Sequence, residues 1–210
     1  FRSFIPTTNP SRTFPSLRYI LNNTNLVPLP NPQTTPLPGT TAPLWFIGEA
    51  LPNASRTLNF RVTVRDNRAG GGGTNEAPVA LSVVNTGSPF AVTAPNTAVS
   101  WDAAVPQTVT WDVAGTNANG INAANVRILL SLDGGTSFPL TLATAEPNDG
   151  SATVTLTGAT PTTQARIKVQ GENNVFFDIS NANFTITGSG PATGVFVQSG
   201  GNTAVTEGGA

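Results

Sequence analysis

Histidine, cysteine and methionine are missing altogether from the 210 residues. Without histidine the chain lacks the side chain that most often acts as general base and metal ligand. Without cysteine it has no thiol nucleophile, no thiolate metal site and no disulfide. That second loss does not argue for a reducing compartment, because about 100 residues can bury an adequate core without a cross-link. Charge is scarce as well, at 10% of residues against a usual ~25%. Lys168 is the only lysine, the other nine cations are arginines, and eleven acids leave a net charge of -1. A nucleic-acid binder carries a basic excess, so that class is excluded. No apolar run approaches the ~20 residues of a membrane-spanning helix. Phe1–Pro6 offers no apolar core followed by a small-residue cleavage site, so no signal peptide is read there. The expectation is a processed product or a piece of something longer.

What is present suits a β protein. The 21 glycines and 18 prolines imply many turns, while 38% apolar residues argue against disorder throughout. The polar surface must come from Thr, Asn, Ser and Gln, a composition associated with extracellular bacterial β-modules. Periodicity of two recurs, and helical periodicity over a dozen residues does not. In Thr57–Asp66, Leu58, Phe60, Val62 and Val64 share one face, with Asn59, Arg61, Thr63 and Arg65 on the other. Such a strand buries one face and wets the other. Ala77–Asn85 repeats the pattern with Val79, Leu81 and Val83. The intervening Gly70–Gly73 run is read as a loop. It has no Gly-Lys-Ser/Thr behind it and no helix to aim amides at a phosphate.

Gly87-Ser88-Pro89 marks a boundary. Nine short strands are predicted beyond it: 90–93, 98–101, 107–113, 125–132, 140–143, 152–156, 165–169, 175–179 and 183–187. Val109, Trp111, Val126, Ile128, Leu130, Ile167, Val169, Phe176 and Phe184 should dominate the core of a sandwich. Trp101, sharing a face with Val99, is expected inside too. The first 56 residues differ. Pro28, Pro30, Pro32, Pro36 and Pro38 rule out central strands there. Long loops are expected, pinned by Phe4, Phe14, Leu17, Tyr19, Trp45 and Phe46, with at most two more strands within Ser16–Leu21 and Leu44–Ile47.

The fold class expected is therefore all-β: two tandem immunoglobulin-like β-sandwich modules with a C-terminal linker and strand tail. Residues 1–87 form the first module, 88–187 the second, and 188–210 a linker plus the start of a further β-repeat. The first module falls short of the ~7 strands such a sandwich needs. Upstream sequence or a neighbouring subunit should complete it.

Three stretches carry a resemblance: EALPNASRTLNFRVTVRDNRAGGGGTN at 49–75; 89–156, with SPFAVTAPNTAVSW, QTVTWDVAGT and VRILLSLDGGTSFPLTL; and 166–186, ending in NVFFDISNANFTI. Together they resemble the region that follows the catalytic domain in secreted bacterial reprolysin-like zinc metalloproteases. The resemblance implies accessory β-sandwich modules in a secreted, multidomain parent. The family's zinc signature is rich in histidine, so no part of its protease site transfers here. Residues 194–209 are similar to the opening of Calx-beta-like repeats, which implies that the polypeptide continues.

Each candidate site has a plainer reading beside it. Ser131, Asp133, Gly135, Ser137 and Phe138 fit an Asp-box, in which the carboxylate accepts bonds from the turn's own amides. The alternative is a ligand or metal role. Asp66, Asn67, Asn75 and Glu76 could gather oxygens around calcium, but two carboxylates are a thin supply for a cation wanting six to eight ligands. The plainer reading is a solvated loop. Asn148-Asp149-Gly150 is read as an ordinary hairpin turn. Trp45, in the irregular region, is the candidate for a ligand-stacking aromatic, whereas Trp111 lies in register with Val109 and Val113 and belongs to the core. No catalytic residue and no cofactor other than calcium is expected, because the eleven acids are scattered over turns. Lys168 lies between inward Ile167 and Val169 and should point out.

The function expected is a non-catalytic structural or adhesive segment of a secreted or cell-surface bacterial protein. One alternative is a polymer- or carbohydrate-binding accessory module of a secreted protease, with Trp45 in contact. Another is a subunit of an extracellular filament or surface layer assembled by strand donation. Expected partners are other domains of a larger parent, neighbouring copies or an extracellular polymer, not nucleic acid or membrane.

Overall fold

The computed structural model describes residues 12–23 and 51–190. These form a short helix, α1 (Leu17–Leu21), a hairpin of β1 (Arg56–Arg65) and β2 (Thr74–Val83), and nine further strands. The nine are β3 (Ala91–Ala94), β4 (Ser100–Asp102), β5 (Gln107–Asp112), β6 (Asn125–Ser131), β7 (Leu140–Pro147), β8 (Ser151–Val154), β9 (Thr162–Gly171), β10 (Phe177–Ile179) and β11 (Phe184–Thr187). The all-β expectation holds, and each of the nine strands expected beyond residue 89 has its counterpart.

Those nine strands make two sheets. The smaller runs β3-β5-β8; the larger runs β4-β11-β9-β6-β7, with β10 beside β11 along the same edge of the long β9. Alternation explains why they face one another. Val92, Val109, Trp111, Ala152 and Val154 point inward from the smaller sheet. Val126, Ile128, Leu130, Ala165, Ile167, Val169, Phe184 and Ile186 do so from the larger. Each fully buried Val, Leu, Ile or Phe stabilises the fold by roughly 1.5–3 kcal/mol over leaving it exposed, so the interface between the sheets is the main cohesive element. Three local differences from expectation stand out. β4 lies about a residue later than expected and leaves Val99 exposed, while Trp101 is half-buried with its ring 4.8 Å from that of Phe184. Phe176 is half-buried rather than central, because it leans edge-on against Phe90 at 4.8 Å outside the inter-sheet layer. β7 continues to Pro147 across a bulge in which Ala145 takes φ +53°.

The hairpin pairs from Arg56↔Val83 to Arg65↔Thr74. The Asp66 amide donates to the Gly73 carbonyl at 3.3 Å just beyond the last pair. Since bonded and non-bonded pairs alternate in an antiparallel ladder, Arg61↔Pro78 falls in a non-bonded pair. The Pro78 nitrogen therefore faces away from β1, the one orientation in which proline costs the ladder nothing. On the apolar face Leu58, Phe60 and Leu81 are half-buried, but Val62, Val64 and Val79 are 62%, 64% and 49% exposed.

Ser16–Leu21, one of the two places considered for a further strand, holds the helix Leu17–Leu21 instead. Leu17, Ile20 and Leu21 are spaced as well for a helix as for alternation, and the Ser16 carbonyl receives the Tyr19 and Ile20 amides. Tyr19 and Ile20 are buried. This segment touches both parts of the molecule. Phe14 packs on Phe60 of β1 with ring centroids 4.9 Å apart, while Asn23 donates from Nδ2 to the Asn181 carbonyl of the sandwich at 3.1 Å. The expected anchors Phe4, Trp45 and Phe46, the candidate strand Leu44–Ile47 and the tail 194–210 lie outside the described residues.

Candidate functional site

The Asp-box closes the β6-to-β7 connection. β6 ends on Ser131, which is fully buried, and the chain turns through Gly134 and Gly135, both at positive φ. Ser131 Oγ donates to Asp133 Oδ1 at 2.7 Å and accepts the Gly135 amide at 2.8 Å. Ser137 donates its amide to Asp133 Oδ1 at 2.9 Å and its hydroxyl to Oδ2 at 2.6 Å. Both carboxylate oxygens are thus engaged within the turn. The hydrogen bonds from the Ser137 and Ser131 side chains hold the Asp133 carboxyl at about 2. Gly135 has a second role that the motif does not reveal. A Cβ there would sit 2.5 Å from Leu21 Cδ2, so the missing side chain makes room for α1 against the turn. Phe138 lies half-buried beside Lys168.

The four residues considered for calcium do not converge. Asp66 Oδ1 accepts the Arg68 amide at 3.1 Å and Oδ2 accepts the Gly73 amide at 3.0 Å, and these bonds lower its pKa. Asn67 takes φ +52° in the same loop. Asn75 Oδ1 accepts the Glu76 amide at 2.8 Å. Glu76 faces Arg61 across the hairpin at 2.9 Å, an exposed pair of small energetic value. A shallow depression lined by Arg65, Asp66, Asn67, Gly72, Gly73 and Thr74 marks the loop, but its single carboxylate is spent on backbone amides. The donor set does not fit calcium, and among the described residues no three acids gather closely enough for a metal.

Trp111 is a core residue, 4% exposed, and its indole nitrogen donates to Asn148 Oδ1 at 2.9 Å. Asn148 itself is more than the turn residue read from sequence. It is buried, and its Nδ2 donates to Thr116 Oγ1 and the Ala123 carbonyl, both at 3.0 Å. One amide therefore ties β5 to the 113–124 loop and to the end of β7. Trp45 lies outside the described residues.

Two polar features were not foreseen. Asp178 on β10 is turned toward the smaller sheet and accepts the Val92 amide at 2.7 Å; burial raises its pKa against the opposing effect of that bond. Lys168 points outward as expected, yet it is held over two rings: its Nζ is 4.2 Å from the Phe177 centroid and 5.6 Å from that of Phe138. Burial, with Arg127's charge as a lesser cause, lowers its pKa. The only signal of this in the sequence is a sole lysine at an outward strand position. Its neighbours come from β6, the β6-to-β7 connection and β10 and need the register to be known.

No known family model matches this chain, and no curated protein matches it either.

Proposed function

We propose that this chain is a non-catalytic structural or adhesive segment of a secreted or surface protein, built around an immunoglobulin-like sandwich at 90–187 and a second, incomplete β-module before it. The observation that carries this reading is where the polar chemistry goes. Asp66, Asp133 and Asn148 spend their polar atoms on turns and on inter-element ties. No buried side-chain nitrogen or oxygen among the described residues lacks a partner. A site poised for chemistry keeps groups in reserve, whereas a scaffold uses them up. The resemblance to regions downstream of reprolysin-like catalytic domains points the same way, toward an accessory part of a larger secreted polypeptide. The test is to express 90–187 alone and the full chain, and to assay both for cooperative unfolding and for casein hydrolysis with and without chelator. Independent two-state unfolding of 90–187 without hydrolysis is expected. Hydrolysis that co-purifies and responds to chelator would overturn the reading.

A second reading, strand donation between copies in a filament or surface layer, is favoured by the hairpin. Val62, Val64 and Val79 lie open on one face. The outer edge of β2 is interrupted by Pro78, while that of β1 carries no proline. A donated strand would then add to β1. Concentration-dependent sedimentation of the full chain, abolished by Thr63→Pro on that edge, is the expected outcome under this reading. The carbohydrate-binding alternative built on Trp45 draws no support from the described residues.

A further inference from the structure

Asn119-Gly120 is the one Asn-Gly step in the chain. It supplies the two central residues of a turn, 118–121, closed by the Ile121 amide donating to the Ala118 carbonyl at 3.0 Å. Asn119 takes φ +57° and Gly120 φ +84°, a left-handed pair for which Asn-Gly is a favoured sequence. Both residues are exposed, and a Cβ on Gly120 would meet nothing within 4 Å. Among the described residues the Gly120 amide donates to no acceptor and Asn119 Oδ1 accepts from no donor, while Nδ2 donates to the Gly115 carbonyl at 3.1 Å. Asn148 is the opposite case. It is buried, and its side-chain oxygen and nitrogen are both bonded.

We infer that Asn119 is a site of self-modification, at which the Gly120 amide nitrogen attacks the Asn119 side-chain carbonyl carbon. Hydroxide takes the Gly120 amide proton, the bond from that nitrogen to Cγ forms, and the bond from Cγ to Nδ2 breaks. Nδ2 takes a proton from water and leaves as ammonia, and a five-membered succinimide remains. Water then adds to one of the two ring carbonyls and cleaves that carbon's bond to nitrogen. Cleavage at Cγ gives aspartate; cleavage at the main-chain carbonyl gives isoaspartate, in which the main chain runs through the former side chain. Glycine suits the attack, because a side chain at 120 would crowd the nitrogen. In the left-handed conformation the asparagine Cβ and the next nitrogen lie on opposite sides of the Cα–C bond, so the turn opens first. Little resists that opening: the Ile121 and Asn122 amides on the Ala118 carbonyl and Nδ2 on that of Gly115, all in a surface loop. The site also has a route to the core. The loop is closed by the Ala123 amide on the Thr116 carbonyl at 3.0 Å, and Thr116 Oγ1 and the Ala123 carbonyl are the two acceptors of Asn148, the partner of Trp111. Isoaspartate adds a carbon to the main chain between those two anchors and loosens the tie beneath Trp111.

The full chain, incubated in ¹⁸O-water at mildly alkaline pH with a parallel sample in urea, tests this. Trypsin releases residues 69–127 as one peptide, which holds Asn119 and six other asparagines as internal competitors. Asn119 should take up ¹⁸O before any of the six, in proportion to hydroxide concentration. Electron-transfer fragmentation and an isoaspartyl methyltransferase should identify isoaspartate there. Asn119→Gln, which would have to close a larger ring, should lose the uptake at 119. The purified isoaspartyl form should unfold at lower urea than Asn119→Asp, which carries the same charge on a normal main chain. Another asparagine reacting first, an Asn119 that reacts in urea but not in the folded chain, or an isoaspartyl form as stable as Asn119→Asp would each overturn the proposal.

Discussion

Val62 and Val64 on β1 occupy the same kind of position as Ile128 and Leu130 on β6, alternate residues on one face of an antiparallel ladder. Ile128 and Leu130 are 0% exposed, while Val62 and Val64 are 62% and 64% exposed. The strands are equally good by pattern. The difference is that β6 faces a second sheet across the core, whereas among the described residues β1 is paired with β2 and meets Phe14 at its base. Alternation defines a face; a core requires something opposite it. An isolated two-stranded hairpin is marginal for that reason.

Hydrogen exchange gives the largest contrast. Amides of β5, β6 and β9 should open only with global unfolding, and those of β1 and β2 by local fraying. Given typical global stabilities, the rates should differ by about a thousandfold or more. Equal protection in the two regions would show that the hairpin face is covered in solution. The next largest effect is Trp111→Ala, which should cost about 3–5 kcal/mol in urea denaturation. It removes a large buried ring and leaves Asn148 Oδ1 without its donor. A parent-like midpoint would remove Trp111 from the core. Asp133→Ala should lower stability by about 1 kcal/mol, at the small end for hydrogen-bond loss because the turn is open to solvent. The sign with pH follows from the depressed carboxyl. Its contribution is complete above the unfolded value near ~3.9 and is lost as pH falls toward about 2. Parent and Asp133→Ala should therefore converge between pH 5 and pH 2 in acid-unfolding curves, and curves that stay parallel would exclude the carboxylate as the source. The smallest effect belongs to the hairpin. Val62→Thr with Val64→Thr should shift the midpoint by no more than about 0.5 kcal/mol; a larger loss would reveal a hidden partner for that face.

Much of the sandwich was legible because its strands are short, alternating and separated by turn residues. Val109, Trp111, Val126, Ile128, Leu130, Ile167, Val169 and Phe184 are all buried as the alternation requires. Local chemistry was legible too, since Asp133 makes its bonds within four residues of itself. What escaped was anything that depends on distant strands meeting. Asn148 looked like a turn residue because its partners Trp111, Thr116 and Ala123 are 25–37 residues away. Asp178 meets Val92 across 86 residues. Lys168 gained its aromatic and cationic neighbours only through the β6–β9–β10 register. Leu17–Leu21 escaped for a different reason: five residues are too few to separate a period of 3.6 from a period of two.

One pairing in the larger sheet bears on how the sandwich would respond to tension. β4 and β11, near the two ends of the sandwich, run parallel, with Thr185↔Ser100, Ile186↔Trp101 and Thr187↔Asp102 in register. The Thr185 amide bonds to the Val99 carbonyl and the Ala103 amide to that of Thr187. Because the two strands point the same way, β4 begins and β11 ends at opposite poles. Tension between the start of β4 and the end of β11 then slides one against the other and strains their hydrogen bonds together, in shear. An antiparallel closure would have opened one bond at a time, like a peeled strip. The closing seam of this domain is therefore oriented to resist stretching along its own axis.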